Sequence, residues 1–174
     1  MPTWALGASG SANPADMLSA TTASDSVLQA RHAALAGEKE RARNHLTTAS
    51  RAVAEAGEAA PTWLHLEVAL LARALGDEAT ADEHGRTTLE SIDGKDEEVA
   101  LRPRALIALG RFDEAETAMT FDGKIPCDMT LAIDDLRLVG ETTRATSLAR
   151  RIAGDAAAIH PAANNRNVEN MIRR

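Results

Sequence analysis

Apolar residues recur along this chain at helical spacing. Ala42, Leu46, Ala49, Val53 and Ala56 follow one another at intervals of four, three, four and three, a single stripe bounded by charged positions. A second stripe is formed by Leu64, Val68, Leu71 and Leu75, and a third by Met129, Ile133, Leu136 and Val139. A fourth runs through Ala145, Leu148, Ala149, Ile152, Ala156 and Ile159. The pattern predicts an all-α chain of amphipathic helices, each with one face to bury.

The helices are punctuated by a recurring break. From Ala105 to Met119 the chain reads as a helix, a single glycine and a second helix, and the Gly-x4-Ala at its centre occurs four times. The pairs are Gly37 with Ala42, Gly76 with Ala81, Gly110 with Ala115 and Gly140 with Ala145. Glycine permits the left-handed turn residue, and an alanine five positions later lets two antiparallel helices approach closely. In order, the first pair is predicted from a cap at Ser24 or Asp25 to Ala36 and from Glu38 to Ala56. The second runs from Thr62 to Leu75 and from Asp77 to Ile92, with Trp63 at its entrance expected to pack into the core. Pro103 interrupts the third, because an interior proline costs about 3 kcal/mol. A separate turn at Glu97–Leu101 is therefore expected, then a short helix ending at Leu109, its partner Phe112 to Phe121, and any bending of the stack at this unit. The fourth starts from a cap at Cys127 or Asp128 and returns after Gly140 to Ile159. Residues 1–24, rich in Ala, Ser, Thr and Gly, form a flexible N-terminal segment with a short helix near Asn13-Pro14; 25–160 form the helical repeat domain; 161–174 form a tail or capping helix.

Composition narrows the reading. In 174 residues there are two Trp, two Phe and no Tyr, so the core is built of Leu, Ile, Val and Ala on closely approaching helices, and strands are disfavoured. A chain of this length buries roughly 70% of its unfolded surface without a disulfide or metal staple. The balance of 19 basic against 26 acidic residues, a formal charge of −7, argues against a phosphate backbone as partner. One cysteine, Cys127, excludes an intrachain disulfide and favours a reducing compartment. No apolar run reaches the roughly 18 residues of a membrane span, and the N-terminus carries no secretion signal. The expectation is a cytoplasmic protein that engages neither nucleic acid nor membrane.

The helix-glycine-helix pattern from Ser24 to Ile159 resembles the tetratricopeptide repeat (TPR) family in degenerate form. The turn glycines are 39, 34 and 30 residues apart, of which the middle interval equals the family period. Pro61, Pro126 and Pro161 match the proline that ends the second helix in the family, whereas the second unit has Asp93-Gly94. The aromatic usual four residues before the turn is replaced by Ala33, Ala72, Leu106 and Leu136. The resemblance implies an α-α superhelix, a right-handed stack of about four hairpins whose first helices line a concave groove. The groove offsets of the family fall here on Arg31, Leu66, Leu70, Arg73, Arg104, Ile107, Asp134 and Arg137, with Ala34, Val27, Ala100 and Thr130 completing the set. One arginine per unit suggests guanidinium forks for carboxylates on a partner, set against the simpler reading that surface arginines pair with nearby acids. The lysine and asparagine clamp by which some members hold chaperone C-termini is not matched, since Val27, Arg31 and Glu67 stand there.

Chemistry is not otherwise signalled. No histidine pair has the spacing of a helical zinc site; His45 and His84 are repeat-equivalent and read as partly exposed. Asp82, Glu83 and His84 beside Glu78 could offer ligands to a weakly held cation, but an acidic first turn that complements the helix dipole accounts for them more simply. Cys127 lacks a visible base, and Gly7 to Gly10 lacks the lysine of a phosphate loop. No catalytic residue, metal or cofactor is expected. The leading reading is a protein-protein interaction module, a chaperone or adaptor that binds a partner helix or extended peptide in its groove, in a bacterial secretion or multiprotein system. The alternative is a regulatory sensor or anti-activator that binds a transcription regulator or signal peptide. Exposed end helices also leave homo-oligomer formation open.

Overall fold

A computed structural model describes residues 14–94, 98–120 and 129–159. These residues form eight α-helices and no strand: α1 Pro14–Leu35, α2 Lys39–Ala56, α3 Thr62–Leu75, α4 Glu78–Ile92, α5 Glu98–Ala108, α6 Phe112–Met119, α7 Thr130–Leu138 and α8 Thr142–Ile159. Consecutive helices pack in pairs, α1 with α2, α3 with α4, α5 with α6 and α7 with α8. The first helices of successive pairs also pack on one another, α1 on α3, α3 on α5 and α5 on α7.

The four glycine turns share one backbone design. Gly37, Gly76, Gly110 and Gly140 have φ of 77°, 80°, 72° and 91°, in the left-handed region where a side chain would be strained. In each turn the glycine N–H donates to the carbonyl three residues back, as from Gly76 to Arg73. The following N–H donates to the carbonyl four before the glycine, at Ala33, Ala72, Leu106 and Leu136, over 2.9, 2.9, 2.9 and 2.8 Å. This double bond pattern satisfies the orphan carbonyls of a helix end and reverses the chain within three residues. Ala42, Ala81, Ala115 and Ala145, the alanines that follow at the fifth position, each have no exposed surface. The repeat read from the sequence is thus a repeat of backbone geometry.

Packing differs from the expectation at the centre. The apolar stripes of α2, α3, α7 and α8 are buried as predicted at every described position except Val139, which is half-buried against the core. α3, however, buries eight of its 14 residues. Leu64, Val68, Leu71, Ala72 and Leu75 join a cluster with α1 and α2, while Leu66, Ala69 and Leu70 join a second cluster with α5, α7 and α8. A helix with two apolar faces is a partition between half-cores, and α3 touches α7 as well as α1 and α5.

Three boundaries also differ. α1 is continuous from Pro14, about ten residues before the predicted cap, so the short helix and the long one are one element. α5 is continuous through Pro103, where a separate turn and a late start were expected. Pro103 is the sixth residue of the helix, so its missing N–H removes only a bond to the carbonyl of Val99, next to a first turn that has orphan donors anyway. α6 ends at Met119 rather than near Phe121. Trp63 is 46% exposed rather than core: it shares a helix face with Leu66 and Leu70 but stands at the second residue of α3, a turn before them. The cap at Cys127 or Asp128, the prolines at 126 and 161, the N-terminal 13 residues and the tail after Ile159 lie outside the described residues.

Candidate functional site

The first helices of the four pairs each contribute one charged side chain to a common point. Arg31 of α1 donates from Nη1 to Glu67 Oε2 of α3 over 2.7 Å and from Nη2 to Asp135 Oδ1 of α7 over 3.3 Å. Arg104 of α5 donates from Nη2 to Glu67 Oε1 over 2.7 Å and from Nε to Asp135 Oδ2 over 2.5 Å. Two guanidiniums and two carboxylates therefore alternate around a closed quartet with no net charge. Each guanidinium spans both carboxylates, and charge-assisted bonds of this kind are roughly twice as strong as neutral ones. Asp135 has a side chain with no exposed surface, Arg104 retains 11%, Glu67 17% and Arg31 25%.

Burial pushes the Asp135 carboxyl above its ordinary range, against the hydrogen bonds and charge of Arg104, which pull it down. Burial alone would lower Arg104, but its bonds to Asp135 and Glu67 outweigh that and hold it above its ordinary value. Both shifts come from the same enclosure. The pairing keeps the charges, and the desolvation makes them costly to bury singly.

Of the residues expected to line a groove, the structure brings Arg31 and Arg104 together and sends the others elsewhere. Leu66, Leu70 and Ile107 have no exposed surface and belong to the second core cluster. Arg73 donates from Nε to the carbonyl of Ala108 over 2.8 Å and from Nη2 to Asp82 over 3.1 Å, with Glu78 at 3.6 Å, and so caps the end of α5. Arg137 pairs with Asp134 one turn away at 2.6 Å. The forks expected to await a partner's carboxylates are all engaged by acids of the same chain. Asp82 and Glu78, weighed above as cation ligands, are taken up with Arg73, and Asp82 also holds Arg86.

The sequence reading missed Glu67 and Asp135 as partners of the arginines. Their positions, nine and five residues before Gly76 and Gly140, are not repeat-equivalent, so no single offset would find both. The first helices also carry Asp25, Arg73, Arg102, Asp134 and Arg137, so the placement of charge along the chain does not single the four out either.

Exposed apolar side chains share helix faces with two members of the quartet. Five large apolar side chains are exposed among the described residues, Leu18, Leu28, Leu35, Trp63 and Leu131, and all but Trp63 lie on α1 or α7. Leu28 and Leu35 are three residues before and four after Arg31, and Leu131 is four before Asp135, so they share helix faces with the two quartet members.

A second feature lies on the opposite side. A cleft of about 710 Å³ runs between α2, the start of α3, and α4, lined by Val53, Ala54 and Ala60 as well as by polar side chains that include Ser50, Glu58, Glu83 and Thr87. At its wall His65 of α3 and His84 of α4 meet with Nδ1 atoms 2.9 Å apart and ring centroids 5.1 Å apart. His84 is buried rather than partly exposed as expected. The pairing was legible in principle, since positions 65 and 84 lie at nearly the same level of an antiparallel hairpin that turns at Gly76. Burial lowers both histidines below their ordinary value; the charge of His84 lowers His65 further, and Glu83 acts the other way on both.

Among the described residues no helix is long and apolar enough to cross a membrane. Comparison of the chain with protein-family models, with curated proteins and with solved structures finds no match.

Proposed function

We propose that this chain is a protein-interaction module, a TPR-like right-handed stack of helical hairpins that holds a helix or extended segment of a partner protein in a cytoplasmic assembly. The observation that carries the reading is the placement of Leu28, Leu35 and Leu131 on the same helix faces as Arg31 and Asp135. Apolar side chains around a fixed, largely desolvated set of charges are the arrangement found at the centre of binding surfaces, where the apolar groups supply affinity and the polar ones register. This differs from the groove expected from the repeat offsets. Recognition rests on leucines at the rim, and the arginines serve as a rigid floor because their forks are filled.

The repeated turn supports the same class, because a stack of hairpins presents extended surface. To test the reading, the full chain and its Leu28→Asp/Leu131→Asp variant are used to capture partners from the native cell, with capture quantified protein by protein. Both substitutions are at exposed positions, so circular dichroism should be unchanged. A partner enriched by the native chain and at least tenfold less by the variant supports the surface. Equal recovery of every partner by both would remove it.

A further inference from the structure

The cleft between α2 and α4 has no part in the interaction surface, and its histidine pair is not explained by packing. Two neutral imidazoles that meet through Nδ1 share one hydrogen, so one ring donates and the other accepts. The same two atoms are the ligand atoms that imidazole offers to a metal ion. We infer that His65 and His84 form a two-nitrogen site for a divalent transition ion of the imidazole-seeking kind, zinc or copper, open toward the cleft.

Geometry carries the inference. Zinc binds imidazole nitrogen at about 2.0–2.1 Å, so two ligands of a tetrahedral ion stand about 3.3 Å apart. The present separation is 2.9 Å, and an opening of about 0.4 Å brings the pair to that value. The terminal torsion of histidine is broad, so each ring can turn from head-to-head contact to aim its Nδ1 at a shared point. The step balances without loss of a proton. The donor ring moves its hydrogen from Nδ1 to Nε2, both rings stay neutral, and both Nδ1 lone pairs become free for the ion.

The surroundings suit a dication. The cleft gives entry, Ser50, Thr80, Thr87 and Ser91 line it with hydroxyls, and the carboxylates of Glu58 and Glu83 outnumber its one guanidinium, Arg51. No group of three or more His, Cys, Asp or Glu able to hold a metal ion is assembled among the described residues. The site therefore supplies two positions, one fewer than the three protein ligands of catalytic zinc sites, and leaves the rest to water or to a ligand brought into the cleft. Zinc and copper share this donor set, and copper is favoured by intrinsic affinity.

The test is titration of the untagged full chain, freed of metal by chelator, with Zn²⁺ and separately with Cu²⁺ by calorimetry near pH 7.5. One ion per chain is expected, with affinity at least tenfold weaker in His65→Ala and in His84→Ala and unchanged in His45→Ala. Because His84 is buried, nitrogen-15 spectra of the native protein's histidines give a readout free of any folding defect. Added Zn²⁺ should move Nδ1 of His65 and His84 and leave the other three histidines in place. Absence of saturable binding of either ion, or movement of other histidines in place of this pair, would overturn the site.

Discussion

At the scale of single residues, the quartet separates charge that matters from charge that does not. Asp135 and Asp134 are neighbours, but Asp135 has no exposed side-chain surface and holds two guanidiniums, whereas Asp134 is 57% exposed and holds Arg137 within one turn. Asp135→Asn leaves Arg31 and Arg104 with Glu67 alone, an uncompensated positive charge in a desolvated place, and should cost about 3 kcal/mol. Asp134→Asn should change stability by no more than about 0.5 kcal/mol. Urea denaturation of the two variants checks this, and comparable losses would mean that the quartet is solvated. The desolvation that raises the Asp135 carboxyl gives a further expectation: Asp135→Leu combined with Arg104→Met should be less damaging than Asp135→Asn alone. The histidine pair sets a pH dependence. Both rings are lowered in the folded protein, so it binds protons there less readily than the unfolded chain. The stabilisation is complete above about pH 6.5 and is lost as pH falls through the lowered folded values. The charged groups around the pair are Glu83 of α4, Glu58 of the turn after α2 and Arg51 of α2. In metal-free protein, the loss of stability from pH 7.5 to pH 5.5 should be larger for the native chain than for His65→Gln/His84→Gln. The comparison cancels carboxylates that both proteins share, and equal slopes would exclude the pair as the cause.

Among the elements, α3 and α6 mark the extremes of burial. α3 buries eight residues on two faces, while α6 is eight residues long and buries only Ala115 and Met119. Backbone hydrogen bonds open least where most apolar surface must be exposed to open them. Amide exchange should therefore be slowest in α3 and fastest, among the helices that follow a glycine turn, in α6. Mass-spectrometric exchange resolves the peptides, and an α6 as protected as α3 would contradict the ranking. This recasts the expectation of a weak third unit, because its first helix continues through Pro103 and only its second is short. The same contrast shows what could be read from the chain. The turns were legible, because the glycine, the carbonyl four residues before it and the alanine five after it are all local. The stripes on α2 and α8 were legible for the same reason, each helix having one face to hide. α3 misled because a groove-facing leucine and a second-core leucine occupy the same offset in a list of residues. The packing of α3 against α5 and α7 decides that Leu66 and Leu70 are core. Glu67 and Asp135 were hidden still more deeply, since their meeting with Arg31 and Arg104 requires all four pairs in place.

For the whole molecule, the contact of Arg31 with Asp135 joins the first hairpin to the fourth, across 104 residues. Helical repeat arrays commonly have only nearest-neighbour interfaces, so that end units fray independently and unfolding can broaden into steps. Here two conditions oppose that behaviour. The quartet links all four units at one point, and α3 belongs to both apolar clusters, so neither half-core can open without exposing part of the other. The chain should accordingly unfold in one cooperative transition. Trp63, on α3, reports the centre by fluorescence once Trp4 is replaced by Phe, and far-ultraviolet circular dichroism reports all helices together. The two urea curves should coincide in the native background. In Asp135→Asn, which keeps the apolar core but unlinks the ends, amides of α1 around Arg31 should lose more protection than amides of α4, although the substitution is on α7. Separate transitions in the native background, or loss of protection confined to α7 and α8 in the variant, would show that the quartet does not couple the ends of the stack.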